Sequence, residues 1–416
     1  MLRAYRYELR PTDQQKVLLE KHFGANRFVY NWALDIKKKH YAETQKSLSQ
    51  FDIMRKLTAL KADKPWMSEV ASQSMQQTIA HLESAFVAFF KKRADFPQFK
   101  SKHKSKKAYT VPQGISIDHD AQTIKLPKLG AVRFFKDRKF EGDIRQATIS
   151  ASSTGRYYVS MLVETGVEAP VLPTPSKDAV TGIDLGIKDF AITSDGQIFD
   201  NPRYFVSSQK RLGIYQKRLN RAVKGSKNRE KIKKQVARVH EHIANQRRDF
   251  QHKVSTQLTR SENQATVIAM ETLSAENLLK NHKLAKHISD AAWYQFKQFV
   301  EYKCSWYGKH FVQIGRFEPS SKTCSKCGWY FKDLTLKVRS WECPSCHTHH
   351  DRDVNAACNI RNFGWLSLNK SLGVVDAAPS INKAPLSGQE VSWSDEVGKT
   401  GVRVRRTRAT ARTPGL

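Results

Sequence analysis

Acidic residues are scarce in this chain. Its 416 residues hold 39 Asp and Glu against 71 Lys and Arg, a formal charge of +32. That imbalance argues against cationic partners and points to a polyanion. Long apolar runs are missing too: nowhere do roughly 18 apolar residues follow one another, so no membrane-spanning helix is expected. The opening stretch carries Arg3, Arg6, Glu8 and Arg10 and has no uninterrupted apolar segment, which argues against a secretory signal. Cysteine is absent from the first 303 residues. The six cysteines stand at 304, 324, 327, 343, 346 and 358, and four of them form two C-x-x-C pairs. That distribution fits metal ligation in a reducing cytoplasm rather than a disulfide framework. Hydrophobic residues make up 39% of the chain, enough to build cores in about two to three domains and to exclude wholesale disorder.

The first ten residues alternate as a short strand, and Pro11-Thr12-Asp13 then supplies a stop followed by N-cap chemistry. Helical patterning runs on for about ninety residues. Leu18, Leu19, His22 and Phe23 share one face, and Phe28, Val29, Trp32, Ala33 and Ile36 continue it. Ile79, Leu82, Phe86, Phe89 and Phe90 form a stripe that reads as core. After Phe96-Pro97, an acid-free run from Lys100 to Tyr109 leads into β-rich segments up to about residue 165. These suggest a small barrel or sandwich whose first strand is the N-terminal one, with the helices inserted. Three prolines between residues 166 and 177 mark a linker. Residues 178–200 then read strand, turn, strand, Asp195-Gly196 turn, strand. Residues 203–260 are helical, with 17 Lys and Arg against Glu230, Glu241 and Asp249, a net +14. Such a surface favours bound nucleic acid over a merely solvated face, because it repels itself without counter-charge. An apolar strand ending at Glu271, a long helix around 288–307 and the strand HFVQIGRF follow. From Ser367 the periodicity fades into a tail expected to be disordered.

Cys324, Cys327, Cys343 and Cys346 have the spacing of a zinc ribbon, in which two knuckles bring four thiolates to one tetrahedral Zn²⁺. Four thiolates leave no open position, so this zinc is expected to be structural. His347, His349 and His350 stand beside the second knuckle as alternative ligands. Cys304 and Cys358 are expected to be buried as small hydrophobes.

In so basic a chain, acids at the ends of apolar strands are informative. Asp184 sits in AVTGIDLGIKDF, where Gly182 and Gly186 permit close backbone approach. Glu271 ends ATVIAME, and Asp351 and Asp353 precede the helical VNAACNIRN. Singly these read as a turn former, an exposed strand end and an N-cap. Jointly Asp184, Glu271 and Asp353 fit a three-carboxylate site holding two divalent cations about 4 Å apart for phosphodiester chemistry. Mg²⁺, which prefers hard oxygen ligands shared with phosphates, is the expected ion.

The segments GIDLGIKDFAITSDG, the strand ending in Glu271, SSKTCSKCG with WECPSCHTHHDRDVNAACNI, and YRYELRPTDQQ with FGANRFVYNWAL resemble the OrfB/TnpB family of insertion-sequence proteins, relatives of compact type V CRISPR effectors. The resemblance spans residues 1 to about 365. It implies a multidomain α+β chain with an RNase H-like (RuvC) α/β nuclease domain at 178–319 and 348–366, interrupted by the zinc ribbon at 320–347. A wedge β-barrel at 1–10 and 105–170, a helical recognition lobe at 11–104, a linker at 171–177 and a tail at 367–416 complete the implied division. Asp184, Glu271 and Asp353 become the catalytic, Mg²⁺-binding residues, with Asp351 the less favoured alternative to Asp353.

The implied activity is guide-RNA-directed, Mg²⁺-dependent cleavage of double-stranded DNA beside a short target-adjacent motif. It would take place in a prokaryotic cytoplasm, with the protein on the nucleoid when bound to DNA. Lys100, Lys102, Lys104, Lys217, Arg218, Arg221 and Lys224 are then candidates to hold nucleic-acid backbones. Gln76, Tyr109 and Gln113 are candidates to read the short motif. A non-cleaving RNA-guided regulator of transposition and a transposase are the alternative functions.

Overall fold

The computed structural model describes residues 1–135, 138–260, 264–273, 284–316, 318–335 and 337–373. The N-terminal strand β1 (Leu2–Arg10) lies inside a seven-stranded antiparallel sheet with β2 (Lys107–Val111), β3 (Ser116–Asp118), β4 (Thr123–Leu126), β5 (Gly130–Phe134), β6 (Asp143–Ala151) and β7 (Tyr157–Glu164). The strand order is β2-β6-β7-β1-β5-β4-β3, so β1 is flanked by β7 and β5, and the helices are inserted in sequence between β1 and the rest, as expected. Alternation decides which face is buried. Tyr7 and Leu9 on β1, Val159, Met161 and Val163 on β7, and Val132 and Phe134 on β5 enter one core. Val111 on β2 and Ile124 on β4 join the same core from opposite ends of the order, so the sheet curls on itself.

Between β1 and β2 lie α1 (Asp13–Thr44), α2 (Gln50–Asp63) and α3 (Ser72–Phe90). A capping box opens α1: Thr12 accepts from the Gln15 backbone N–H while the Gln15 side chain accepts from that of Thr12. The three helices share a core that includes Val29, Leu34, Ile53, Met67, Met75, Ile79 and Leu82. The sequence stripe overreaches at its end: Phe90 is 71% exposed, because α3 stops there and its ring meets only the edge of the core through Phe86 and Phe89.

A second sheet combines β8 (Val180–Leu185), β9 (Asp189–Thr193), β10 (Ile198–Asp200), β11 (Val267–Met270) and β12 (His310–Gln313), in the order β10-β9-β8-β11-β12. The first three strands are antiparallel neighbours, whereas β11 runs parallel to both β8 and β12. Helices α4 (Tyr204–Arg221) and α5 (Lys227–Thr259) connect β10 to β11, and α6 (Ala285–Ala291) and α7 (Trp293–Trp306) precede β12. One face of the sheet packs on α5 and α7 through Val254, Leu258, Phe296 and Val300. The other packs on α8 (Arg352–Leu372) through Ile360 and Leu368. Burial on both faces is why β11 reads as a continuous apolar run.

Two boundaries differ from the sequence reading. The long helix expected over 288–307 is broken at Ala292, whose φ of 49° lies in the left-handed region. Gln251 Nε2 on α5 donates to the carbonyls of Ala291 and Ala292 and so holds the break. The tail expected from Ser367 starts later, because α8 continues to Leu372 and ends at Gly373 with φ 70°. Leu368 and Asn369 are buried there, and two buried positions per two turns were too sparse to register as periodicity. The rest of the expected tail lies outside the described residues. Among these residues no helix is long and apolar enough to cross a membrane.

The two sheets are joined through α5. Glu241, one of three acids in the basic helices, accepts from Thr154 Oγ1 at 2.9 Å and Tyr158 OH at 3.4 Å and lies 3.9 Å from the Arg156 guanidinium.

Gly182 on β8 and Gly364 on α8 let helix and strands approach closely. A Cβ at Gly182 would collide with the Ala357 carbonyl and the Arg361 backbone N, and one at Gly364 with Ala269 Cβ. Gly182→Ala is therefore expected to destabilise the chain by about 2–3 kcal/mol, the upper range for overpacking, because backbone rather than a flexible side chain must yield. Denaturant unfolding of the two proteins measures the difference.

Candidate active site and zinc-binding module

The four ribbon cysteines converge: their Sγ atoms all lie within 4.8 Å of one another. Cys324 to Cys346 and Cys327 to Cys343 are each 3.6 Å apart. A disulfide would need about 2.05 Å, whereas a tetrahedron of thiolates around Zn²⁺ with bonds of about 2.3 Å has edges of about 3.8 Å. The donor set therefore fits zinc. Both knuckles have the same backbone. Cys324 and Cys343 donate to the carbonyls of Trp329 and Thr348, and Gly328 and His347 donate back to the cysteine carbonyls. Gly328 (φ 78°) and His347 (φ 52°) occupy the equivalent left-handed position. His350 is buried with Nε2 3.0 Å from Cys324 Sγ. His347 and His349 turn instead to Glu342.

The ribbon feeds directly into α8. Strands β13 (Ser340–Glu342) and β14 (His349–Asp351) pair, and α8 starts at the next residue. Asp351 is the N-cap, its carboxylate accepting from the backbone N–H groups of Asp353 and Val354 at 3.0 Å. Asp353 stands in the first turn. Two buried asparagines tie the helix to the first knuckle: Asn355 donates to the Thr323 carbonyl and accepts from the Ser325 N–H, and Asn359 donates to Ser320 and Thr323.

Asp184 and Glu271 meet through strand register. Parallel pairing sets Met270 beside Ile183, so Asp184, the next residue of β8, stands beside Glu271, which directly follows β11. Burial, then Glu271, then Asp353 hold the Asp184 carboxyl well above the usual carboxylate range, with Arg352 opposing. Burial pushes Glu271 up to about 7. Asp353 is near enough to be felt by Asp184, and its carboxylate faces Arg339 Nη1 at 3.2 and 3.4 Å. Sequence reasoning missed Arg339, Asn355 and Asn359. Polar residues four apart on an apolar helix face were the available signal for the asparagines; Arg339 had none.

The candidate nucleic-acid contacts divide. Gln76 on α3 is exposed, as are Lys100, Lys102, Lys104, Lys217, Arg218, Arg221 and Lys224. Tyr109 is not available to read bases: it is 4% exposed, with its ring stacked on His22 and set edge-on to Phe23. Gln113 is exposed, but it lies in the bend after β2, which ends at Val111. Cys304 is buried and Cys358 half-buried.

Chelation of zinc is expected to unfold residues 320–347 and loosen the start of α8 while the seven-stranded sheet persists; hydrogen exchange by segment checks it. For the carboxylates the sign follows from their raised folded-state pKa. Their ionisation opposes folding progressively as pH rises from the ordinary range near 4 to the raised value, beyond which the loss is constant, and it has no effect below that range. Asp184→Asn and Glu271→Gln should therefore raise the melting temperature above pH 7 without added divalent cation, an advantage that vanishes by about pH 4. Thermal unfolding across that pH series tests it.

Three family models match in succession. A helix-turn-helix domain of IS605 OrfB proteins covers residues 1–46, which here form β1 and one unbroken helix. The IS605 OrfB model, described as "Probable transposase", covers residues 160–282, and a Cas12f1-like TNB domain covers 293–360. A curated relative in Streptomyces pristinaespiralis, named "Putative RNA-guided DNA endonuclease", is 38% identical over 100% of this chain and 98% of its own length. InsQ of Escherichia coli (strain K12), under the same name, is 33% identical over 87% of this chain and 92% of its own. Among solved structures, CasPhi-2 (Cas12j) bound to crRNA aligns over 87% of this chain and 98% of that one, with 10% identity and a TM-score of 0.43. The full-length match to these curated relatives, together with the family models along the chain, means that the protein belongs to the OrfB family of IS605-type insertion-sequence proteins.

Proposed function

We propose that the chain is an RNA-guided, divalent-metal-dependent DNA endonuclease that cuts beside a short target-adjacent motif, using Asp184, Glu271 and Asp353. The observation that carries this reading is that Asp184 and Glu271 stand side by side on neighbouring strands, with Asp353 in the first turn of α8 within electrostatic reach of Asp184, in a chain of net charge +32. A five-stranded mixed sheet with helices on both faces, its first and fourth strands central and adjacent, is the arrangement of an RNase H-like (RuvC) nuclease. In the same reading the curled seven-stranded sheet is the wedge barrel and α1 to α3 the recognition lobe. Residues 320–347 are the zinc ribbon.

The carboxylates supply hard oxygen donors of the kind Mg²⁺ takes. Two such ions would stabilise both the attacking and the leaving oxygen of a phosphodiester. The protein's part is to hold the donors. Strand register fixes Asp184 beside Glu271, the N-cap at Asp351 sets the first turn that carries Asp353, and Arg339 holds the Asp353 carboxylate that a bound cation would take. The exposed cations Lys217, Arg218, Arg221 and Lys224 suit backbone contacts, where charge and A-form shape rather than base identity are read. Target choice then falls to a guide RNA.

Asp184→Ala is expected to abolish cleavage of a matched supercoiled target with Mg²⁺ while leaving copurified RNA in place. Gel assays of nicking and linearisation, with sequencing of the bound RNA, check both halves. Full-rate cutting by an RNA-free preparation would sink the proposal.

A further inference from the structure

Beside the second knuckle stands a group of side chains that neither the ribbon thiolates nor the three acids employ. Glu342 lies on β13 and His349 directly opposite it on β14. His347 precedes His349 by two residues, so the period of two along a strand turns both imidazoles to the side of the hairpin where Glu342 stands. The contacts agree: His347 Nδ1 is 3.1 Å from one Glu342 oxygen and His349 Nε2 is 3.6 Å from the other. His350, one residue on, takes the opposite side, against Trp341 and Cys324. The backbone that presents the group is fixed by the knuckle, where His347 donates to the Cys343 carbonyl at 2.9 Å and Cys343 donates to that of Thr348 at 3.0 Å. The side chains are freer. The imidazoles are 77% and 78% exposed and the carboxylate 48%, so their rotamers can close on an ion without disturbing a core.

The pairing is unusual for so basic a chain. Exposed acids such as Asp13, Glu230 and Asp249 pair with lysine, whereas among the described residues Glu342 pairs only with imidazoles. Ion pairs at such exposure contribute little, and two imidazolium rings sharing one carboxylate would repel each other. Two neutral imidazoles and a carboxylate are instead the donor set of a borderline divalent metal, bound at about 2.0–2.2 Å with water in the remaining position. Mg²⁺ prefers oxygen donors throughout, so this set suits a different ion from the three acids.

We propose that Glu342, His347 and His349 form a second transition-metal site on the ribbon hairpin, taking one Zn²⁺-class ion with water completing its coordination. The ion ties β13 to β14 and to the turn between them. The same hairpin leads into Asp351, the N-cap of α8, so an ion at its knuckle end stiffens the support on which Asp353 stands. Nothing in this depends on the guided-nuclease reading.

The test uses the full chain with one Zn²⁺ bound at the cysteines, dialysed against Co²⁺ and followed by metal analysis and visible absorption. About one further Co²⁺ per chain is expected, without the sulfur-to-metal charge-transfer band that four thiolates give. Glu342→Gln, His349→Gln and His347→Asn, the last chosen because Asn tolerates a left-handed φ, should each weaken that uptake about tenfold or more. His103→Gln, at an exposed histidine elsewhere, should leave it unchanged, and so should Asp184→Ala, which reports on ions taken by the carboxylates. Failure to take up a further equivalent overturns the proposal. So does uptake lost only in Asp184→Ala, uptake retained in all three site variants, or a thiolate band showing that Co²⁺ has merely replaced the ribbon's Zn²⁺.

Discussion

Everything at the candidate active site depends on how closely α8 lies against β8 and β11. The contact is made through two missing side chains, at Gly182 and Gly364, where any Cβ would overlap the Ala357 carbonyl or Ala269. Close approach brings the first turn of α8, and with it Asp353, to the ends of strands that already carry Asp184 and Glu271 side by side. Like charges pressed together in partial burial oppose their own ionisation, so folding energy from the helix–sheet core holds an electrostatically unfavourable arrangement. The zinc module extends the same control. Its hairpin ends at the N-cap of α8, and Asn355 and Asn359 bind its first knuckle to that helix.

The charge pattern has the complementary logic. Acids are few, and several of them serve distinct jobs: Glu241 joins the two sheets, Asp290 anchors Arg247 of α5 at 2.8 Å, and Asp351 caps α8. Most of the basic excess on α4 and α5 is left exposed and unpaired with acid, a surface that a polyanion would neutralise. Binding of nucleic acid is thus expected to stabilise the fold it needs, since ligand that binds only the native state shifts the unfolding equilibrium.

Much of this was legible in the residues because strong local signals coincided with tertiary demand. The C-x-x-C pairs fix their own turns, an acid at the end of ATVIAM is conspicuous, and the alternation of β1 needs only a partner sheet. Gly182 could be flagged as a close-approach site because glycine weakens a strand and is otherwise hard to justify. What could not be read depends on contacts distant in sequence. The break at Ala292 is held by Gln251 forty residues away. Tyr109 looks like an available aromatic in a basic run, yet α1 covers it through His22 and Phe23. Phe90 obeys helical periodicity but lies past the end of the surface that would bury it. Arg339 reaches Asp353 only because the ribbon folds back onto α8.

The central place of β1 has a consequence for how the chain is made. Leu2 pairs with Glu164, so the strand emerging first cannot complete its ladder until β7 has been synthesised, roughly 10–30 s later at ordinary translation rates. The helices have no such wait, because their shared core is drawn entirely from residues between Ala25 and Phe86. A nascent chain can therefore assemble its helical segment early while β1 remains an unpaired strand. The order of synthesis separates a fast local folding step from a slow, high-contact-order closure, and the interval between them is when the exposed edge of β1 is most open to wrong partners.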